Sequence, residues 1–142
     1  NPKIYPKNTP IVAAVGAGEV DVGFINHYYL HRAIAAQGLE FPARNYYLRI
    51  PGPGSLILVA GAGILETSQN KSSAEKFIDF MLSQVSQQYF ATQTFEYPVV
   101  GGIETHMDLT PISEMDSLEI DMADMGDLAG TLKLLRELGI TP

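Results

Sequence analysis

At 142 residues and 46% hydrophobic, the chain is long enough for one ordinary domain and for burial of about two thirds of its unfolded surface. A net charge of −7, with only nine Lys and Arg spread along the sequence, excludes a nucleic-acid face and favours a small cation or neutral ligand. The absence of Cys excludes disulfides, thiolate metal sites and Cys nucleophiles, so any metal must take oxygen or nitrogen ligands.

No window reaches the roughly 20 apolar residues that span a bilayer. Asn1-Pro2-Lys3 carries neither an initiator Met nor a signal pattern, so the sequence reads as a processed or excised piece. Thr9-Pro10 predicts the start of a first helix, with Thr9 as its cap, an apolar stripe of Ile11, Val12 and Val15, and a stop at Gly16-Ala17-Gly18. Residues 20–25 read as a buried strand, and a helix follows from Tyr28 to about Gln37 with Gly38 as its terminator. Strands are expected again over 46–50 and 56–65, with the Pro51-Gly52-Pro53-Gly54 cluster between them as a hinge. Ser72 and Glu75 have capping-box spacing for a helix whose inner face carries Ala74, Phe77, Ile78 and Met81. A shorter helix over 85–91, a second punctuated crossing at 97–102, and an amphipathic helix through Leu128, Leu132, Leu135 and Leu138 with Gly139 at its end complete an α/β pattern.

The chemistry concentrates at Asn26-His27-Tyr28-Tyr29, where the expected strand gives way to a helix. Ligands in open α/β sheets bind beyond the carboxyl ends of strands. Two adjacent side chains diverge on a strand or within a helix, but at a strand-to-helix turn they can converge on one atom. Fe(III) is hard and highly charged and prefers anionic oxygen, which a phenol supplies once the metal displaces its proton, so binding weakens as pH falls. The helix N-terminus suits an anion completing the coordination, with Asn26 as a donor to it.

Other readings compete with this one. Adjacent tyrosines are commonly amphipathic rings with a hydrogen-bonded tip, and Tyr46-Tyr47 should split across two faces of a strand in that way. His27 and His31 have the spacing to share a helix face, which raises a zinc hydrolase, although the Glu of the HExxH pattern is missing. His106 reads as an isolated loop residue. The acidic group Glu114, Asp116, Glu119, Asp121, Asp124 and Asp127 lacks the glycine and closing glutamate of a calcium loop and reads as a solvated face. Gly61-Ala62-Gly63 matches no nucleotide motif, and close backbone packing would explain it. Nothing assembles a catalytic triad, so no enzyme is expected.

Tyr5-Pro6-Lys7-Asn8-Thr9, the run from Gly18 through Asn26-His27-Tyr28-Tyr29, Pro53-Gly54-Ser55-Leu56, Ser68-Gln69-Asn70-Lys71 and Glu96-Tyr97-Pro98 together resemble the bacterial ferric-ion-binding proteins. The resemblance implies a periplasmic binding protein of type II, of which this chain is the C-terminal half and so incomplete. It implies Tyr28 and Tyr29 as Fe(III) ligands and Asn8 and Asn26 as contacts of a synergistic anion such as phosphate or carbonate. It further implies delivery to an ABC transporter permease, in the periplasm or from a membrane-anchored extracellular lipoprotein. The implied division is 1–56 in the second lobe, 57–98 in the first and 99–142 back in the second. The middle segment would then miss the N-terminal half of the protein, leaving Phe77, Phe80 and Met81 exposed and favouring oligomers. Another solute, an oxyanion or a small organic ligand, is the alternative in the same fold, and a pure interaction fragment lies outside it.

Overall fold

The structure is a computed structural model that describes residues 2–118 and 120–141. Glu119 and the side chain of Asp124, both named in the acidic face, lie outside that description. Five α-helices organise the chain. The first, α1, spans Asn8–Gly16 and opens at Lys7, two residues before the expected cap. Pro10 therefore sits in the first helical turn, where its missing N–H has no helical acceptor to lose. The helix closes with Gly18 at φ 71°, the Glu19 N–H on the Ala14 carbonyl (2.9 Å) and the Gly18 N–H on that of Val15 (3.0 Å). That pair of bonds is a Schellman ending, and it needs the left-handed residue that glycine supplies.

Helix α2 spans Tyr28–Gln37 and ends at Gly38, as the sequence predicts. It packs against α1. Val12 from α1, Leu30 from α2, and Phe41 and Ala43 from the segment after α2 form the buried core, with Val15, Ile25, Tyr29, Ala33 and Ile34 packed around them. The Phe41 ring fills the space beside Gly16, where an added Cβ would come within 2.6 Å of it.

Helix α3, Lys71–Met81, starts at Asn70 without a side-chain cap, so the expected capping box of Ser72 and Glu75 does not form. Ala74, Ile78 and Met81 are half-buried, while Phe77 on the same face is uncovered at 60% exposed and Phe80 at 57%, so the expected exposure holds for the two phenylalanines and not for Met81. Helix α4, Gln84–Gln93, is capped by the Ser83 hydroxyl on the Ser86 N–H and packs against α3. Its buried Gln87 is satisfied at both ends, donating to the Met81 carbonyl at 2.9 Å and accepting from the Val99 N–H at 2.9 Å. Helix α5, Leu128–Glu137, begins with the Asp127 carboxylate on the Gly130 N–H and closes in a second Schellman ending at Gly139.

No strand occurs among the described residues. The segments 20–25, 46–50 and 56–65, expected as strands, carry no ladder. A strand exists only where a neighbouring segment takes its backbone hydrogen bonds. Here Val22 and Phe24 are 79% and 90% exposed, so that apolar run meets no such neighbour. The Gly61-Ala62-Gly63 reading is also corrected: nothing lies within 4 Å of a Cβ placed on either glycine, so close packing does not account for them.

Candidate metal centre

The four expected site residues stand together at the start of α2. Tyr28 and Tyr29 are its first two residues, after His27 at the cap position. Side chains in a helix lean toward its N-terminus, which lets these two neighbouring rings meet in the first turn while Tyr29 also packs against the core. The two rings stack with centroids 4.6 Å apart and an angle of 29°. The Asn26 side-chain amide donates to the Tyr28 hydroxyl at 3.4 Å, and the Asn26 backbone N–H donates to the Asn8 side-chain oxygen at 3.4 Å. The first turn of α1 is thereby tied to the turn that bears the tyrosines.

Burial pushes the Tyr28 phenol above its ordinary value; the Asn26 hydrogen bond opposes that, and the adjoining Tyr29 hydroxyl and the Glu96 charge add to it. Tyr28 is therefore a neutral phenol at physiological pH, and a cation held there has to expel a proton. Arg32 lies over the Tyr29 ring, 5.8 Å from its centroid. The Tyr29 N–H bonds to the Asn26 carbonyl at 3.1 Å and the Leu30 N–H to that of His27 at 3.2 Å. Two of the N–H groups that the helix end offered to an anion are thus engaged.

The histidines pack against the segment around Phe95 and Tyr97. The His27 Nε2 meets the Phe95 carbonyl at 2.6 Å, and its ring lies 4.9 Å from that of Tyr97. The Asn45 amide donates to the His27 carbonyl at 3.0 Å and sits 3.4 Å from the His31 Nε2. The Nε2 of each ring is thus engaged, and no group of three His, Cys, Asp or Glu side chains suited to a metal occurs among the described residues. His106 is not isolated: its ring packs 4.7 Å from that of Phe95 and its Nδ1 lies 3.6 Å from the Asp108 carboxylate. Sequence inspection missed Phe95, Asn45 and Asp108, because their approach depends on chain segments far from the tyrosines and no spacing rule signals it.

Two cavities border α2. The larger, about 320 Å³, is lined by residues that include His31, Ile34, Arg44, Tyr47 and Asp108, and the smaller by His31, Phe95 and His106 among others. Neither is lined by Tyr28 or Tyr29. Tyr46 is exposed and Tyr47 half-buried, which is the split expected of an ordinary tyrosine pair. The acidic residues do more than solvate a face, since Asp121 caps the 3-10 turn Met122–Met125 and Asp127 caps α5.

No described helix is long and apolar enough to cross a membrane. Across 139 residues the chain is 31% identical to the major ferric iron-binding protein of Neisseria meningitidis serogroup A, covering 97% of this chain and 42% of that protein. It is 30% identical over 138 residues to the Fe(3+)-binding periplasmic protein of Serratia marcescens, covering 96% and 40%. It is likewise 30% identical over 138 residues to iron uptake protein A1 of Synechocystis, covering 93% and 38%. The chain thus spans about two fifths of the length of these relatives. The family model for bacterial extracellular solute-binding proteins matches residues 1–96, more than half of the sequence, and this chain belongs to that family.

Proposed function

We propose that this chain carries part of a ferric-iron site, with Tyr28 and Tyr29 as phenolate ligands and Asn8 and Asn26 holding a synergistic anion such as phosphate or carbonate. The observation that carries the reading is the stacked tyrosine pair at the open end of α2, with both asparagines hydrogen-bonded into the same turn. The relatives named for ferric iron and iron uptake support the choice of cargo. The protein works as a binding protein and not as an enzyme. It closes two α/β lobes over the ion and hands it to an ABC transporter permease, in the periplasm or from a lipid-anchored position outside the cell.

In this reading 1–56 and 99–142 belong to one lobe and 57–98 to the other. The pairing of α1 with α2 and of α3 with α4 falls inside those bounds and supports them. A visible-absorption titration with ferric iron held soluble by a weak chelator tests the site. The chain is expected to develop a phenolate-to-iron charge-transfer band that the Tyr28→Phe, Tyr29→Phe double variant lacks. Equal iron uptake by the double variant moves the metal elsewhere, and uptake of an oxyanion or organic acid without iron replaces the cargo. No uptake by either chain overturns the reading for these 142 residues.

A further inference from the structure

Phe95 is the single non-glycine residue with positive φ among the described residues, at 61°. A side chain with a Cβ avoids that conformation, and such outliers persist only where the surroundings hold them. The position follows the Thr94 end of α4, with the Glu96 N–H on the Phe90 carbonyl at 3.1 Å. At the corresponding positions after α1 and α5 the chain places Gly18 and Gly139, and α2 ends directly on the positive-φ Gly38. Only α4 uses a bulky aromatic where a glycine would be unstrained.

The contacts of Phe95 account for the exception. Its carbonyl meets the His27 Nε2 at 2.6 Å. Its ring stacks on His31 at 5.2 Å and 15°, and His106 closes on it at 4.7 Å. His27 and His31 flank the tyrosine pair in the first turns of α2, so one residue grips that turn by both its backbone and its ring. A hydrogen bond and a ring stack acting together restrict rotation of the turn more than either does alone.

We propose that Phe95 is a positioning residue for the tyrosine pair: its left-handed backbone aims the carbonyl at His27 and wedges the ring between His31 and His106, fixing the turn from which Tyr28 and Tyr29 project. Only an iron-binding readout of this role rests on the proposed function, because the placement of the rings is measurable without metal.

Three variants separate the contributions. Phe95→Gly keeps the backbone conformation and deletes the ring, Phe95→Leu keeps apolar bulk without a stack, and Phe95→Tyr keeps the ring. The ring resonances of Tyr28 and Tyr29 in the metal-free chain are read by NMR, and ferric-iron affinity by the charge-transfer titration. The Gly and Leu variants are expected to shift both tyrosine ring signals and to weaken iron binding at least about tenfold, as loss of a supporting contact behind a metal ligand does. The Gly variant should do so without a lower melting temperature, since it relieves the strained backbone, and the Tyr variant should match the parent in every readout. Unmoved tyrosine signals in both the Gly and Leu variants overturn the proposal, and if Gly fails to fold the Leu variant alone decides. Should the parent chain give no charge-transfer band, the iron reading falls, while shifted ring signals in Leu or Gly and not in Tyr still uphold Phe95 as the positioning residue.

Discussion

His27 and His31 illustrate how a single side chain changes meaning once its surroundings are known. Burial pushes both below the usual histidine value of 6.5, and for His31 the neighbouring His27 adds to the effect. A depressed histidine value means that the unfolded chain takes up the proton first as pH falls. The stability these residues contribute is therefore complete at and above neutral pH and is lost as pH drops through about 6.5 toward the folded values. The melting temperature, followed by circular dichroism, is expected to fall between about pH 7 and pH 5.5, and a His27→Gln, His31→Gln variant should show a flatter profile over that window; equal slopes would remove the histidines from the account. The structure brings together Tyr28, Tyr29, Asn8 and Asn26, the residues the sequence singled out, because the turn that joins them is local or lies one helix away. The sequence did not reveal that one nitrogen of each histidine is engaged, since their partners Phe95 and Asn45 come from segments brought close only by packing.

At the scale of elements, the ends of helices were more legible than their faces. Gly18, Gly38 and Gly139 marked three terminations because only glycine takes positive φ without strain. The start of α5 was written in the acidic run but read as solvated charge. Asp127 accepts from the Gly130 N–H at 2.8 Å, and a Cβ on Gly130 would press into that carboxylate, so the pair works as a cap fitted to a glycine. Asp127→Ala is expected to cost about 1 kcal/mol of local helix stability, seen as faster amide exchange at Gly130 and Thr131 with α1 and α2 unaffected. The apolar faces were harder to read. Phe77 has the spacing for the inner stripe of α3 yet stays exposed, because spacing says which residues share a face and not whether anything covers it. The expected strands failed for the same reason: an apolar run over 20–25 records a wish for burial, and pairing depends on a neighbour that the run itself cannot specify.

The whole chain exposes 11045 Å². A folded monomer of this length would expose about 7,200 Å², so the surface is about half as large again as a self-sufficient domain allows. Phe77, Phe80, Val85 and Tyr89 on α3 and α4, and Leu58 and Val59 ahead of them, contribute to that excess. Surfaces of this size and apolarity drive association, and light scattering is expected to show oligomers whose fraction rises with concentration; a strictly monomeric chain up to about 100 µM would contradict this. The core, by contrast, draws Val12, Leu30, Phe41 and Ala43 from one short stretch of sequence. Contacts so close along the chain close small loops, so the unit built on α1 and α2 should form early and without help from the helices nearer the C-terminus. Native-state hydrogen exchange should find its slowest amides in α1 and α2 and its fastest over 57–65, and uniform exchange would refute that order. The tyrosine-bearing turn would then start out on a nucleus that is already folded and be fixed only once Phe95, synthesised later, docks against it.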